Sequence, residues 1–403
     1  MTMHILACDR MRQVHTWLKR LDARVSLMVD RERVKADFIE DHYRIIGVSP
    51  GATIEEWIEI ALAIHRIDPI HAVCAFHEMQ QDKAALIAQR LGLPFHLPET
   101  VESVRQKDKM RRKLRLANID PTEGRRVKAA SEIALFGKQH GYPLILKPVD
   151  GWASTGVSLI RNVDDIPAAI DWFGSSGAHT DMYVEQYIDG VELSVEALSE
   201  QGQHRIFCVT QKYKDSTHFV EQGHCVPMPL DQATQIEIND FVSQVLTTLG
   251  ISDGASHTEI MLTEQGLRVV ETHTRLGGDS IPDLFKLVSG IDVMELCARQ
   301  ALGEHVLAQL PPASHADKFA AIWYASPRAA GTLERIEGAK EAQNMPGVLD
   351  VQLLKEPGMT LGDTRDSFSR SAYAIGIGNT ADEAIDRAKS AIQKFRFVVS
   401  CCG

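Results

Sequence analysis

The 403-residue sequence lacks the marks of several protein classes. No stretch approaches the roughly 20 apolar residues of a membrane-spanning helix, and Asp9 and Arg10 interrupt the first apolar run, where a secretory signal needs a longer one. The seven cysteines are scattered without a CxxC pair, which favours free buried or tail thiols in a reducing compartment. We therefore expect a cytoplasmic protein without a membrane partner.

The chain also has fewer basic than acidic residues. Lys and Arg number 43 against 54 Asp and Glu, a formal net charge of -11, so the chain lacks the global positive field that attracts nucleic acid. Hydrophobic residues make up 44% and charged residues 24%, as in a soluble globular protein. The length indicates roughly two to four domains. No nucleic acid partner is expected, and the acidic surface permits a monomer or a homodimer.

The pattern of apolar residues predicts a mixed fold, α/β followed by α+β. The first hundred residues alternate strand-like runs with helical stretches such as 54–67, which indicates a Rossmann-like parallel sheet. No GxGxxG follows the first strand, so a dinucleotide site of that type is not supported. The central region mixes helices, including one at about 281–301, with antiparallel strands. The C-terminal part reads as an antiparallel sheet unit with a closing helix over 380–395.

We place domain boundaries where these patterns change. The predicted units are an N-terminal α/β domain over 1–100, a small subdomain with a glycine-containing loop over 101–185, a larger subdomain over 186–310 and a C-terminal α+β subdomain over 311–403. The basic segment 100–118 is typical of a solvated helix face.

The predicted hairpin over 257–273 brings two carboxylates together. If Glu264, Gln265 and Gly266 form a three-residue loop, Glu259 lies opposite Glu271. Directly opposed like charges are destabilising unless a cation bridges them, and Mg²⁺ takes one or two protein carboxylates with water and phosphate oxygens. The sequence therefore predicts a magnesium site here, or else two exposed glutamates on a loose hairpin.

The end of the same hairpin indicates an anion site. The period of two along a strand puts Glu271, His273 and Arg275 on one face, and Gly277 and Gly278 follow, where backbone amides can approach an anion closely. The alternative is an ordinary ion pair of Arg275 with Glu271 or Asp279.

The turn over 150–156 has the small residues of a phosphate-covering loop but lacks the Gly-Lys-Ser/Thr ending of a Walker A motif. Lys147 precedes it on an apolar strand, where burial needs an anionic partner such as a nucleotide phosphate. The alternative is that Lys147 reaches the surface. Trp152 at the tip of the loop is a candidate for closing over a substrate.

Three ordered motifs together resemble the ATP-grasp superfamily. They are LILKPVDGWASTGV from residue 144, VEQYIDGVELSVE from residue 184 and HTEIMLTEQGLRVVETHTRLGGD from residue 257. The resemblance covers about residues 100–300 and implies an ATP-grasp fold. It also implies a site for ATP with two Mg²⁺ ions, which Mn²⁺ can replace.

The resemblance also implies roles for individual residues. Lys109 and Lys147 correspond to the lysines that contact ATP phosphates, and the mobile lid over them supplies Gly151, Ser154, Thr155 and Gly156. Glu185 with the backbone of Gln186, Tyr187 and Ile188 resembles the hinge that reads adenine, and Glu192 the acid that binds ribose. Glu259 and Glu271 match the magnesium ligands, while the family usually has Asn where this chain has His273. Arg275 with Gly277 and Gly278 resembles the group that holds an acyl phosphate.

Most members of the superfamily are ligases that activate a carboxylate as an acyl phosphate and join it to an amine. Residues 218–230 resemble the E-x-x-H stretch of the L-amino-acid ligases, which form dipeptides. This implies small-molecule carboxylate and amine substrates, with Glu221 holding an ammonium group and His224 orienting a carboxylate or taking a proton from the amine. A small-molecule kinase and a non-catalytic nucleotide-binding regulator are the alternatives.

Overall fold

The structure is a computed structural model that describes residues 2–36, 38–151, 153–177, 181–215, 219–311, 317–327, 330–362 and 366–400. All structural statements below concern these residues. None of the helices among them is long and apolar enough to span a membrane. The cysteines among them are buried free thiols, as predicted, whereas Cys401 and Cys402 lie outside the described residues.

The N-terminal unit is a four-stranded parallel sheet, which confirms the prediction for this part of the chain. Its strands are β1 (His4–Ala7), β2 (Arg24–Asp30), β3 (Arg44–Val48) and β4 (Ala72–Cys74), in the order β3-β2-β1-β4. Its helices are α1 (Arg12–Arg20), α2 (Phe38–Asp41), α3 (Ile54–Ile67) and α4 (Gln81–Leu91). Helix α3 begins at Ile54 because Thr53 and Glu56 form a capping box.

Two helices and a small antiparallel sheet follow. Helix α5 (Pro98–Arg105) precedes α6 (Lys107–Leu116), and Lys107 and Arg111 of α6 are buried, so the basic segment is not simply a solvated face. The sheet has the order β5-β8-β6-β7, from β5 (Gly124–Val127), β6 (Leu144–Pro148), β7 (Ser158–Ile160) and β8 (Met182–Gln186). Helices α7 (Ala130–His140) and α8 (Ile166–Ser175) pack against it.

The central element is an eight-stranded antiparallel sheet in the order β13-β12-β9-β10-β11-β14-β18-β16. Five strands come from the middle of the chain: β9 (Val191–Glu200), β10 (Gln203–Lys214), β11 (Glu221–Val226), β12 (Gly254–Thr263) and β13 (Gly266–His273). Helix α9 (Gln232–Leu249) covers its apolar face. The remaining strands, β14 (Phe319–Ala325), β16 (Val348–Leu353) and β18 (Ala372–Gly378), show that the C-terminal part is antiparallel but extends the central sheet.

The rest of the C-terminal part forms a second sheet in the order β17-β15-β19, from β15 (Gly331–Glu337), β17 (Thr360–Leu361) and β19 (Arg396–Ser400). Its helices are α12 (Ala339–Gln343) and α13 (Ala381–Ile392). The single helix expected over 281–301 was wrong. It is two helices, α10 (Ile281–Ser289) and α11 (Val293–Ala301), because Gly290 adopts a left-handed φ of +76° and ends the first.

One apolar core joins the N-terminal sheet to the central sheet. Ile5 and Leu27 of the parallel sheet belong to the same buried cluster as Leu284 of α10 and Ile322 of β14. Helices α1 and α11 pack together across this junction. The shared core brings the loop after β4 close to the end of β13, where the polar site lies.

Candidate active site

One face of the central sheet carries charged side chains on five neighbouring strands. They are Glu271 and His273 of β13, His257 and Glu259 of β12, Glu192 and Glu196 of β9, Lys212 and Lys214 of β10, and Glu221 and His224 of β11. The register aligns Glu259 with Glu271, His257 with His273 and Lys212 with His224. Because charges are costly to bury unless they are paired, so dense a buried set is informative about function.

The structure confirms the pairing of Glu259 with Glu271 but not the turn from which it was predicted. Thr263 pairs with Gly266, so the loop contains only Glu264 and Gln265. A bulge next to Ile260 then shifts the register by one residue and aligns Glu259 with Glu271. The alternative of two exposed glutamates is wrong, since Glu259 is buried.

Cations surround Glu259. The Lys212 ammonium contacts its carboxylate, and His257 Nε2 lies 3.2 Å from Oε1. Burial opposes ionisation of Glu259, but Lys212, Lys214 and His257 outweigh it and hold the pKa of its carboxyl well below the usual range. Glu259 is therefore ionised at neutral pH.

Glu271 has its own set of partners. Lys107 Nζ lies 3.1 Å from Glu271 Oε2, and His273 Nε2 lies 3.2 Å from Oε1. Burial raises the pKa of Glu271, but Lys107 and His273 lower it to well below the usual range. The two opposed carboxylates are thus both charged, and each is neutralised by a lysine and a histidine.

The donor set fits a hard cation. Two ionised carboxylates facing each other offer oxygen ligands of the kind that Mg²⁺ takes, with water and phosphate oxygens completing the octahedron. Among the described residues there is no ready-made group of three or more acidic, histidine or cysteine side chains that could hold a metal. The two carboxylates alone would leave most of the coordination positions of such a cation to water or phosphate oxygens.

His273 was expected at the third metal position, and the structure gives its ring other partners. Its Nδ1 lies 2.9 Å from Glu78 Oε2 while Nε2 faces Glu271. Burial lowers the pKa of His273, but Glu78 and Glu271 together raise it above its usual value. Both ring nitrogens thus face carboxylates in this structure, and the metal role of His273 stays a prediction.

Glu78 was missed by the sequence reasoning. Its Oε2 also accepts a hydrogen bond of 2.8 Å from Arg275 Nε, so a residue of the N-terminal unit holds both His273 and Arg275. Arg275 Nη1 donates to the carbonyl oxygen of Leu276 at 2.9 Å. The expected alternatives of Glu271 or Asp279 as the partner of Arg275 are therefore wrong.

Lys109 is not brought to this cluster. Its ammonium pairs with Glu102 at the surface, whereas Lys107 Nζ reaches Glu271 and donates to the carbonyl oxygen of Gly151 at 2.8 Å. The sequence holds a signal for this: Lys107 is three and seven residues before Met110 and Leu114, which places it on the buried face of α6. Lys107, and not Lys109, therefore lies against the opposed carboxylates and the loop over 150–156.

Lys147 is 5% exposed and does not reach the surface. Its ammonium contacts Glu185, whose Oε2 accepts a hydrogen bond of 3.0 Å from Arg111 Nε. Arg111 Nη1 also donates to Asp120 Oδ2 at 3.1 Å. Both oxygens of Glu185 are thus engaged inside the protein, and its role in binding adenine stays a prediction.

That hinge is anchored by its own backbone. The amide N–H groups of Gln186 and Tyr187 donate to the carbonyl oxygens of Glu123 and Pro143 at 3.1 and 3.2 Å. Ile188 is half-buried. Glu192, the predicted ribose ligand, instead lies 2.5 Å from Lys214 Nζ and 3.2 Å from Lys212 Nζ.

The loop over 150–156 bridges three parts of the chain. Besides the bond from Lys107 to Gly151, Ser154 Oγ donates to the carbonyl oxygen of Phe219 at 2.8 Å. The carbonyl oxygen of Ala153 accepts from the Ser367 N–H at 3.2 Å. Thr155 is half-buried, Gly156 has a left-handed φ of +71°, and Trp152 lies outside the described residues.

A second polar cluster surrounds the predicted substrate residues. Glu221 Oε2 accepts from Ser367 Oγ at 2.6 Å, and Glu221 also lies within 3.5 Å of Lys212 Nζ. His224 Nε2 is 2.8 Å from Asp279 Oδ2, which also accepts from Arg370. Sequence reasoning assigned no role to Arg370 and Ser367, which are distant in the chain from the quoted motifs, and it considered Asp279 only as an ion-pair partner of Arg275.

The two glycines after Arg275 differ in their surroundings. The Gly277 N–H donates to Glu196 Oε2 at 3.0 Å, and a Cβ at Gly277 would lie within 3.0 Å of Glu196 and His257. Gly278 has open space where a Cβ would stand. Of the two, Gly278 is therefore the one that leaves room for a ligand close to the backbone.

Two regions of the chain match models of known protein families. Residues 140–283 match the ATP-grasp domain, and residues 323–400 match L-amino acid ligase C-terminal domain 2. The first region contains Lys147, Glu259 and Glu271, and the second contains Arg370.

Similar proteins carry related descriptions. The uncharacterized protein y4rH of Sinorhizobium fredii is 28% identical over 314 residues, which cover 76% of this chain and 64% of that protein. Alanine–anticapsin ligase of Bacillus subtilis is 26% identical over 269 residues, which cover 60% of this chain and 56% of that protein. The chain thus spans less than two thirds of the length of either relative. The crystal structure of the L-amino acid ligase from Bacillus licheniformis superposes with a TM-score of 0.85 over 99% of both chains, and at 20% identity this likeness establishes the fold.

Proposed function

We propose that this chain, which belongs to the ATP-grasp superfamily and carries the C-terminal domain 2 of the L-amino acid ligases, is an ATP-dependent ligase that joins a carboxylate to an amine. The observation that carries the proposal is the pair of ionised carboxylates Glu259 and Glu271, opposed across a hairpin and each in contact with a buried lysine. Nothing in packing alone requires so many buried charges, whereas binding of a metal and phosphates does.

Each charged group has a task in such a reaction. Lys107 and Lys147 contact the phosphates of ATP beneath the loop over 150–156, which excludes water from a reactive acyl phosphate. Glu259 and Glu271 hold Mg²⁺ or Mn²⁺, and the metal supplies neutralisation of phosphate oxygens when bound. Arg275, held by Glu78, directs its guanidinium towards the oxyanion that develops as the amine attacks.

The substrates we propose are amino acids, or an amino acid and another small carboxylic acid. Glu221 provides a carboxylate that suits an ammonium group, next to the cation Lys212, which suits a carboxylate. The description of a relative as an alanine–anticapsin ligase supports this class of substrate. The four-part domain division, a cytoplasmic location, a homodimer and the binding of two metal ions stay predictions.

The test is release of ADP and phosphate from Mg-ATP with a panel of amino acids, singly and in pairs, with the products weighed by mass spectrometry. We expect release to require two substrates and to yield a product of their summed mass minus water. The Lys147→Met variant should be inactive, and Lys138→Met, which changes an exposed lysine of α7, should match the wild type.

Two results would contradict the ligase assignment. A phosphorylated product formed from one substrate would identify a small-molecule kinase. Binding of ATP without any release across the panel, with Lys147→Met and the wild type alike, would identify a nucleotide-binding regulator.

A further inference from the structure

A hydrogen-bonded cluster joins three distant parts of the chain through His224, Asp279 and Arg370. His224 lies on β11, Asp279 follows β13, and Arg370 precedes β18. His224 Nε2 is 2.8 Å from Asp279 Oδ2. Arg370 binds the same carboxylate through both terminal nitrogens, Nη1 to Oδ2 at 2.7 Å and Nη2 to Oδ1 at 2.6 Å. A two-pronged contact of this kind fixes the orientation of the carboxylate plane.

The backbone at Asp279 is also held in a demanding conformation. Asp279 and Ser280 have φ values of +53° and +60°, in the left-handed region that residues other than glycine rarely adopt. Two consecutive residues of this kind persist only where surrounding contacts fix them. The bonds from His224 and Arg370 are such contacts.

The charge state of Asp279 determines which nitrogen of His224 carries hydrogen. Burial opposes ionisation of Asp279, but hydrogen bonds from His224 and Arg370 outweigh it and hold the pKa of its carboxyl far below the usual range. An ionised carboxylate only accepts hydrogen bonds, so His224 Nε2 is the donor. In a neutral imidazole the other nitrogen, Nδ1, then carries a lone pair.

That lone pair has no partner within the described part of the chain. His224 is 1% exposed, and its Nδ1 is a buried atom without a hydrogen bond. The other charged or titratable groups near the ring are Lys212, its partner across β10 and β11, Glu221 on its own strand, and Tyr324, whose ring centroid is 6.5 Å away. Arg370 lies 3.7 Å above the Tyr324 ring, which holds the guanidinium from its other side.

We propose that Asp279 and Arg370 are positioning residues that keep His224 with its hydrogen on Nε2, so that Nδ1 takes the proton from the attacking amine. This inference rests on the proposed ligase function and specifies how the amine is activated there. An amino acid carries an ammonium group at neutral pH, and the nitrogen cannot attack until it loses a proton.

Two protons leave the attacking nitrogen during this step. The ammonium gives one proton to His224 Nδ1, and the charge of the resulting imidazolium is stabilised by Asp279. The nitrogen lone pair forms the C–N bond to the acyl carbon, and the C–O bond to phosphate breaks with its electron pair on the phosphate. The second proton of the nitrogen leaves with that phosphate as hydrogen phosphate, so the product is a neutral amide. Arg370 takes no part in proton transfer; it keeps the carboxylate turned towards Nε2.

The first experiment reads the tautomer directly in the protein without any substrate. Nitrogen-15 NMR of histidine-labelled protein, with His224→Gln for assignment, should show His224 protonated on Nε2, with a hydrogen protected from exchange. Asp279→Ala should lose that protection, whereas Glu337→Gln, which removes a surface partner of Arg335, should not. A His224 ring protonated on Nδ1 in the wild type would overturn the proposal, whatever the activity.

The second experiment separates amine activation from carboxylate activation. Hydroxylamine is largely uncharged at neutral pH, so it traps an acyl phosphate as a hydroxamate without needing a base. Asp279→Asn should lower kcat for ligation to an amino acid on the order of 10²- to 10⁴-fold while it leaves hydroxamate formation near the wild-type rate. Its ligation should recover as pH rises, because solution then supplies the free amine; Arg370→Lys should show a smaller loss of the same kind.

The outcomes distinguish the two proposals. If Asp279→Asn loses hydroxamate formation and ligation equally, or loses neither, the positioning role is refuted while the ligase assignment stands. If the wild type forms neither hydroxamate nor amide with any carboxylate, the ligase assignment fails, and the NMR result still decides the state of His224.

Discussion

Lys107 forms a buried ion pair with Glu271, with Nζ 3.1 Å from Oε2, and the same ammonium donates to the carbonyl oxygen of Gly151. One cation therefore joins helix α6, the hairpin that carries the opposed carboxylates, and the loop over 150–156. A phosphate entering between the loop and the hairpin would meet this ammonium. The position of the loop over 150–156 therefore depends on the same ammonium group that neutralises Glu271.

This arrangement predicts different results for two lysines on one helix. Lys107→Met should lower kcat/KM for ATP about 100-fold or more, because a phosphate contact in a desolvated site is lost and Glu271 loses a partner. Lys109→Met should stay near the wild-type rate, because that ammonium pairs with Glu102 at the surface. The rate of ADP release over a range of ATP concentrations, with the other substrates saturating, measures both values. The reverse order of effects would restore Lys109 to the site.

Glu271→Gln should weaken metal binding. The neutral amide keeps the shape of the side chain but halves the carboxylate charge that faces the metal, so the Mg²⁺ concentration for half-maximal turnover should rise about tenfold. Titration of Mn²⁺ in the presence of ADP, followed by electron paramagnetic resonance, should show the same shift without turnover. Glu264→Gln, at the exposed tip of the same hairpin, is the matched control. Equal metal dependence of the two variants would remove Glu271 from the metal site.

Local periodicity predicts much of the fold. Helix α3 occupies the predicted range 54–67, and the alternating pattern of the first hundred residues yields the parallel sheet. The opposition of Glu259 and Glu271 was also readable, although the loop is one residue shorter than expected and a bulge restores the alignment. The break at Gly290 had a visible signal, since a glycine within a helical pattern commonly ends a helix.

The partners of the site residues were not readable, because they are far apart in the chain. Glu78 lies 197 residues from Arg275, and Asp279 lies 91 residues from Arg370. Patterns of period 2 and 3.6 describe a single element, and they carry no information about which elements meet. The choice of Lys107 over Lys109 was within reach, since the spacing to Met110 and Leu114 defines the buried face of α6.

The burial of His96 predicts how the free energy of unfolding depends on pH. It is partly buried near Asp253, and burial lowers the pKa of its ring to about 4. In the unfolded chain the ring titrates near its ordinary value of about 6.5, so as pH falls from about 6.5 to 4 the unfolded chain takes up the proton first and stability falls. His96→Gln should remove about 1 to 3 kcal/mol of this loss. Urea unfolding at pH 7 and pH 4.5 measures it, and His305→Gln, which changes an exposed ring, should leave the loss unchanged.

The contacts of Glu78 predict that the N-terminal unit contributes to catalysis. Its carboxylate holds Arg275 and His273 at 2.8 and 2.9 Å, and burial is outweighed by these two cations, which keep the pKa of Glu78 far below the usual range. Glu78→Gln keeps the size of the side chain but weakens its hold on the guanidinium, so Arg275 should lose its fixed direction. We expect kcat for ligation to fall on the order of 10- to 100-fold, while the Kd for ATP changes less than about threefold. Equilibrium binding of ATP and steady-state ligation measure the two effects, and Glu99→Gln, on the exposed face of α5, is the control. Equal losses in both measurements would mean that Glu78 only supports the nucleotide site.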